Sequence, residues 1–265
     1  MHKAPMATAS APSGRRRRAI PALMLREIGS TFGRSPGGYL WALAEPLGAI
    51  LLLALCFSLA LHAPPLGSSF ALFYASGYLP FSIFLDISGR CAQSLRFSRP
   101  LMAFPAVRPI DLLAARFLLA ALTHLVVAVL VLGGLGLTVR AAADPGLRHL
   151  ALAYALTAFL GLGFGAMNCA LFHLVPVWER IWGIATRPLF LVSTILFLPE
   201  HVPRPWDDWI RLNPVVQPVA ELRLGLYPFY HARDHAVLWP VICGAGPLLL
   251  GLLLLNRARD RLSLG

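Results

Sequence analysis

The sequence predicts an all-α integral membrane protein with six transmembrane helices. Three observations support this prediction: the composition, a series of long apolar runs, and the placement of the arginines between those runs. Of the 265 residues, 57% are hydrophobic and 13% are charged, whereas soluble domains have about 45–50% apolar and about 25% charged residues. Mean hydropathy is +0.68. Because so few polar side chains cannot cover a soluble fold of this size, most of the surface must face lipid.

The first 19 residues predict a disordered, basic cytoplasmic tail. Residues 1–14 are rich in Ala, Ser, Pro and Gly, and Arg15, Arg16, Arg17 and Arg18 follow. This composition cannot bury a core. A secretory signal is the alternative, but the apolar stretch 19–25 is too short for one. An arginine cluster held at the cytoplasmic lipid surface is the better interpretation.

Residues 20–37 predict an amphipathic helix that lies in the membrane interface. Apolar side chains recur every four residues at Ile20, Met24, Ile28 and Phe32. Polar side chains occupy the opposite arc, at Arg26, Glu27, Ser30, Thr31 and Arg34. A helix with one apolar and one charged face binds at the boundary between headgroups and acyl chains.

Residues 38–265 predict one membrane domain that contains all six spans. A helix needs about 20 apolar residues to cross about 30 Å of hydrocarbon. The predicted spans are 40–61, 66–87, 112–139, 150–175, 181–198 and 236–255. The fifth carries Arg187 near its start, which leaves a short charge-free core.

The distribution of basic residues predicts that both termini are cytoplasmic. With six crossings and an inner N-terminus, 17 of the 23 Lys and Arg residues fall on the inner side and six on the outer side. Cytoplasmic loops of membrane proteins carry such an excess. Orientation therefore explains the basic charge better than binding to nucleic acid does.

Several chemical sites are disfavoured by the sequence. The only lysine is Lys3, so the chain lacks the GxxxxGK[ST] motif that binds nucleotide phosphates. The four cysteines are widely separated and define neither a disulfide framework nor a metal site. A metal site at His231, Asp234 and His235 is disfavoured because the spacing matches no zinc pattern.

Glycines and ionisable residues within the spans have structural and functional interpretations. Gly161, Gly163 and Gly165, like Gly133, Gly134 and Gly136, favour close helix packing over a dinucleotide site. His124 and His173 favour hydrogen bonds between helices, because an acidic partner was not identified in their spans. Glu45 in the first span predicts either a buried salt bridge or a role in transport. Tyr39 and Trp41 are placed as inner-interface anchors.

The segment REIGSTFGRSPGGYLWALAEPL, at 26–47, resembles the N-terminal signature of type-2 ABC transporter permeases that export polysaccharides, the KpsM and Wzm group. The resemblance continues through GYLPFSIF at 77–84, RPLMAFPAVRPIDLLAARFLL at 99–119, RPLFLVSTILFLPEHVP at 187–203 and NPVVQPVAELRLGLY at 213–227. It covers roughly residues 20 to 260 and is strongest toward capsule exporters. Its inner-interface motif contains Arg26, Glu27, Tyr39, Trp41 and Glu45.

The resemblance implies a transport subunit and not an enzyme. Two copies would pair around a central path, with two cytoplasmic ATPase subunits that use ATP and magnesium; this chain itself would need no cofactor. The substrate would be a lipid-linked capsular polysaccharide, exported across the bacterial inner membrane toward a periplasmic co-polymerase and outer-membrane export proteins. O-antigen, teichoic acid or another lipid-linked glycan is the alternative substrate.

The resemblance also implies two groups of site residues. A cytoplasmic coupling helix in the inner loop would contact the ATPase through Arg90, Arg96, Arg99 and Arg108. Short periplasmic gate or re-entrant helices would bring Trp206, Trp209, Tyr227 and Tyr230 to the exit. There these rings would contact the glycan or close the path, and the alternative is simple anchoring in the outer headgroups.

Two other classes of membrane protein compete with this interpretation. A glycolipid-modifying enzyme would need clustered acids at one membrane face to hold a metal and a diphosphate. The cytoplasmic acids Glu27, Asp111, Glu179 and Asp260 are scattered singly. A proton-driven carrier would need ionisable residues in the middle of spans and a repeat between its halves, and the sequence indicates neither.

Overall fold

The computed structural model describes residues 21, 23, 24, 38–97, 108–139, 146–233 and 235–262. Within these ranges the fold is all helical, without strands, as predicted. Its helices from residue 38 onward are α1 (Gly38–Ala60), α2 (Phe70–Ala92), α3 (Ser94–Phe97), α4 (Pro109–Val139), α5 (Leu147–Leu174), α6 (Val177–Val192), α7 (Trp206–Arg211), α8 (Val216–Leu226) and α9 (Leu238–Leu262), with a 3-10 turn at Pro199–His201.

Five helical stretches in the described ranges are long and apolar enough to cross a membrane. They are Leu40–Ala60, Phe70–Arg96, Pro109–Leu137, Leu147–Leu174 and Leu238–Arg257. They correspond to the first, second, third, fourth and sixth predicted spans. The shortest has 20 residues, or about 30 Å at 1.5 Å per residue.

The fifth predicted span, 181–198, is not one continuous helix. Helix α6 has 16 residues, or about 24 Å at 1.5 Å per residue, so it is shorter than the hydrocarbon layer. It starts earlier than predicted and ends at Val192. Ser193 Oγ donates to the Leu189 carbonyl at 2.6 Å, and Thr194 has a φ of 57°. Hydropathy alone missed this end, because hydroxyl side chains that bond to the backbone compete with the helix.

Helices α2 and α5 form the centre of the bundle, whereas little of α1, α4 or α9 is buried. Glycines on α5 allow this arrangement. A Cβ atom on Gly161 would lie 2.9 Å from Ile87 of α2, and one on Gly163 would collide with the backbone of Gly244 in α9. This confirms the packing interpretation for the glycines of α5.

The same interpretation is wrong for the glycines of α4. A Cβ atom built on Gly133, Gly134 or Gly136 meets no atom of the described residues within 4 Å. Gly133 and Gly136 instead line an apolar groove between α4 and α5. A run of small residues therefore predicted close packing correctly only on the helix that has neighbours on several sides.

The segment 193–237, here called the outer layer, lies against one end of the bundle. That end contains the start of α2 and the start of α5, and the predicted orientation makes it the outer end. Val215 packs among Phe81, Phe84 and Leu160, near the middle of α2 and α5. From there α8 runs back to the start of α5, where the Gly146 N–H donates to the Gly225 carbonyl at 2.9 Å.

Replacing Gly163 with Ala is expected to destabilise the bundle, because the added methyl group would meet the backbone of α9 and not a movable side chain. Overpacking of this kind costs about 1–3 kcal/mol. Thermal unfolding in detergent measures the effect as a lower Tm. Gly48→Ala is the matched control, because its position on α1 is open; an equal Tm for both variants would contradict the close approach.

Candidate gate and coupling regions

The four aromatic residues that the sequence assigned to the exit occupy two different environments. Trp206 and Trp209 on α7 are 66% and 68% exposed, whereas Tyr227 and Tyr230 are 4% and 7% exposed. The exposed tryptophans can contact lipid headgroups or a passing ligand. The buried tyrosines can act only by holding the outer layer together.

Tyr227 joins the end of α8 to the loop between α1 and α2. Its ring occupies the space that a Cβ atom on Gly67 would fill, at 2.6 Å from Cε1. Gly67 also has a φ of 73°, a conformation that favours glycine. Tyr227 contacts Phe229 edge-on, with 5.8 Å between ring centroids.

Tyr230 is tied to the acidic residue Glu200. Its hydroxyl donates to the Glu200 carboxylate at 3.2 Å. The Arg233 backbone N–H donates to the same carboxylate at 3.3 Å, and Arg211 Nη2 lies 3.7 Å from it. Burial, with the negative charge of Glu200 as a second cause, raises the pKa of Tyr230. The phenol therefore stays protonated and keeps donating to Glu200.

Glu221 is a second buried acid of the outer layer, for which the sequence predicted no role. Its side chain is 3% exposed. One carboxylate oxygen lies 2.8 Å from His149 Nδ1 of α5, and the other accepts from His235 Nε2. Glu221 thus joins α8 to α5 and to the loop before α9.

This pairing also accounts for His235, which the sequence analysis considered as a metal ligand. Asp234 lies outside the described residues. Among the described residues, no group of three His, Cys, Asp or Glu side chains is arranged to hold a metal ion. The sequence signal for Glu221 was weak, because its partners lie 72 and 14 residues away along the chain.

Arg223 is completely buried, at 0% exposure, on α8. Its Nη2 donates to the Thr194 carbonyl at 2.7 Å and its Nη1 to the Phe197 carbonyl at 3.3 Å. Its Nε lies 3.4 Å from Ser76 Oγ, and its guanidinium carbon lies 4.6 Å from the centre of the Phe73 ring. Burial lowers the pKa of Arg223 to about 10, so the side chain remains cationic at neutral pH.

A charged cluster joins α2 to α4 toward the inner end. Asp86 lies 2.5 Å from Arg90 Nε and 2.8 Å from His124 Nε2. This corrects the sequence analysis, which identified no acidic partner for His124 although Asp86 lies in the predicted second span. Arg90 therefore forms an ion pair with Asp86 on its own helix. Arg116 Nη1 donates to the backbone carbonyl of Arg90 at 3.5 Å.

The other coupling candidates differ in accessibility. Arg96 on α3 has a side chain that is 70% exposed, with Nη1 3.4 Å from Glu179 at the start of α6. Arg108 is exposed; its backbone N–H donates to the Asp111 carboxylate at 3.3 Å, which caps α4. Arg99 lies outside the described residues. Of the described candidates, Arg96 and Arg108 are the ones available to a partner.

The inner-interface motif is described only in part. Arg26 and Glu27, with most of the predicted interfacial helix, lie outside the described residues. Tyr39 is in the first turn of α1, and Trp41 is 69% exposed, as an interfacial anchor would be. Glu45 is exposed and makes no ion pair within the described ranges, so the salt bridge considered for it is not found there.

Comparisons with known proteins cover most of the chain. The sequence model of the ABC-2 type transporter family matches residues 18–227. The chain is 29% identical over 235 residues to the polysialic acid transport protein KpsM of Escherichia coli, covering 89% of this chain and 91% of that protein. It is 24% identical to the capsule polysaccharide export inner-membrane protein CtrC of Neisseria meningitidis serogroup A, covering 91% of both chains. It is 23% identical to the capsule polysaccharide export inner-membrane protein BexB of Haemophilus influenzae, covering 90% of both chains.

Proposed function

This chain belongs to the ABC-2 type transporter family, and from that membership we propose that it is the inner-membrane permease that exports a capsular polysaccharide. The observation that carries the proposal is the similarity to capsule-export proteins over about nine tenths of the chain. The chain is a transport subunit and not an enzyme, and its partner is an ABC ATPase subunit. ATP and magnesium are assigned to that partner, where hydrolysis drives export.

We assign six crossings, with both termini in the cytoplasm. Helix α6 starts where α5 ends, at the inner end of the bundle. The chain then passes Ile195, which packs beside Gly77 in the outer half of α2, and Leu198, which joins the outermost core cluster. Helix α6 together with 193–198 therefore provides the sixth crossing in two pieces. An even number of crossings agrees with the excess of basic residues on the inner side.

A second copy of the chain is proposed to pack near α6. Within the described part of the chain, no residue of α6 is buried. Its exposed residues include Arg187, about 15 Å along the helix from Val177. A charged side chain facing lipid at that depth is unfavourable, so such residues line protein contacts or water-filled paths. A homodimer with the path for the glycan beside α6 satisfies this requirement.

The transported chain is proposed to be a lipid-linked capsular glycan. KpsM, CtrC and BexB are all named for the transport or export of capsule or polysialic acid. O-antigen and teichoic acid remain the alternative substrates. The periplasmic co-polymerase and outer-membrane export proteins are assigned as further partners.

Disrupting the gene tests the function. We expect surface capsule to be lost and its lipid-linked glycan to accumulate in the cytoplasm, with both effects reversed by the intact chain. The measurement is surface staining together with sugar analysis of the accumulated lipid-linked glycan. Normal surface capsule would contradict the proposal, and accumulation of O-antigen or teichoic acid would identify the alternative substrate.

Arg96→Glu is expected to release the ATPase from membranes while the permease still inserts. The reason is that an exposed arginine on a short inner helix sets docking by charge more than folding. Co-purification of the ATPase at physiological salt measures the effect. The double variant Arg96→Glu with Glu179→Arg is the control, because it restores an ion pair within the chain.

The double variant separates two roles for Arg96. An exposed pair at 3.4 Å contributes little to folding, so we expect the double variant to dock as poorly as the single one. Docking restored by the charge swap would mean that Arg96 only positions α3 and does not touch the ATPase.

Changing Tyr227 and Tyr230 together to Ala is expected to abolish export or make the membrane leak ions, because both buried rings hold the outer layer closed. Insertion and ATPase docking at the inner end should persist. Surface capsule and ion conductance in vesicles are the measurements. Trp206→Ala with Trp209→Ala is the matched control on exposed rings. If the tyrosine variant exports capsule and retains ions as the wild type does, the two tyrosines have no role in closing the exit.

A further inference from the structure

We propose that Arg223 is a positioning residue that holds the exit closed at rest by fastening α8 to the break that follows α6. The residues 193–198 are called the break from here on. The proposal rests on the proposed function, because it takes the outer layer as the exit for the transported chain. It adds a specific residue and contact to that layer.

The break needs hydrogen-bond donors that its own helix cannot supply. Thr194 and Phe197 lie beyond the end of α6, so their backbone carbonyl groups have no place in its helical hydrogen-bond pattern and need other donors. At membrane depth such groups must be satisfied by protein, since water is absent. Ser193, Thr194, Ile195 and Leu198 are buried and Leu196 and Phe197 are half-buried, so most of this segment is shielded from solvent. Ser193 and Leu198 find local donors in Thr194 Oγ1 and the His201 N–H, whereas the donor to the Thr194 and Phe197 carbonyls comes from another element of the chain.

Arg223 supplies those donors from α8. One guanidinium reaches two carbonyl groups of the break, at Thr194 and Phe197, and a third donor approaches Ser76 of α2. The planar face of the guanidinium covers the Phe73 ring of α2, which adds a cation–π contact. Three elements that are distant along the chain therefore meet at this one side chain.

Arg223 donates to backbone carbonyl groups and makes no direct contact with a carboxylate among the described residues. Within the described residues it has no ion pair. The two nearby acids of the outer layer are already engaged: Glu221 with two histidines, and Glu200 with Tyr230 and Arg211. An ion pair between side chains can separate by a change of rotamer. A backbone carbonyl cannot move by a change of rotamer, so the Arg223 bonds fix the backbone of the break itself.

Because its partners are backbone groups, Arg223 fixes the position of α8 relative to the break. If α8 left the break, a buried cation and two carbonyl groups would lose their partners together, which is strongly unfavourable. The break and α8 therefore remain joined at rest. A lysine cannot replace this contact, because its ammonium is a compact charge without the planar fork that reaches two carbonyls.

The contact between α2 and the break can also be disturbed at Gly77, independently of Arg223. A Cβ atom on Gly77 would lie 2.8 Å from the Ile195 backbone Cα. Alanine at this position would push the break away from α2 without altering any charge. Gly77→Ala and Arg223→Met should therefore have the same effect through different causes.

The test measures whether the break becomes accessible to water. In a chain whose four cysteines are replaced, Leu198→Cys is labelled from the outer side with a membrane-impermeant maleimide. We expect slow labelling with Arg223 intact and a several-fold increase with Arg223→Met, Arg223→Lys or Gly77→Ala. Arg204→Met is the matched control, because Arg204 is an exposed arginine of the same layer. Co-purification of the ATPase should be unchanged in all of them.

The outcomes are distinct from those that test the function. Unchanged labelling in Arg223→Lys and Gly77→Ala overturns the proposal, even if Arg223→Met fails to insert. An equal increase in Arg204→Met also overturns it, because the effect would then follow from any loss of charge. If labelling rises as expected but the wild-type chain exports no capsular glycan, the role of Arg223 stands and the proposed function fails.

Discussion

A peptide group inside a lipid bilayer must find its hydrogen-bond partner within the protein, and the outer half of this molecule depends on that constraint. The five long helices satisfy it by themselves. The chain after α6 cannot, because the helix ends while Thr194 and Ile195 are still buried. Arg223 on α8 donates to two of the carbonyl groups there, those of Thr194 and Phe197. The outer layer surrounds this contact with its short helices, its buried tyrosines and its acidic residues.

The close approach at α5 makes such an arrangement possible. With glycine at 161 and 163, α2 and α9 lie near enough to form a dense centre. Once that centre is filled, the remaining exposed faces belong to α1, α4, α6 and α9. Lipid provides no hydrophobic driving force between helices, so the helices are held together by the close packing that small residues permit. The bundle thus leaves one side of α6 exposed, where a second copy is proposed to pack, while it holds the outer layer at its end.

The two ends of the molecule use charge in different ways. At the inner end, Arg96 and Arg108 are exposed, where they suit contact with a soluble partner. At the outer end, Glu221 and Arg223 are buried two residues apart and do not pair with each other. Each reaches a different neighbour, so α8 is held to α5 by one residue and to α2 and the break by the other. Removal of either partner of a buried contact is more disruptive than loss of an exposed pair.

The sequence by itself determined the class of protein, five of the spans, the predicted orientation and the resemblance to polysaccharide-exporting permeases. Hydropathy and composition are sums over neighbouring residues, so they report these properties without knowledge of packing. The tertiary structure decided where the fifth apolar run breaks, that Tyr227 and Tyr230 are buried while Trp206 and Trp209 are exposed, and that Asp86 is the partner of His124. It also decided the roles of Glu221 and Arg223, because the contact from Arg223 to Ser76 joins residues 147 positions apart. No local pattern contains a contact of that separation, since only the packing of helices brings those residues together.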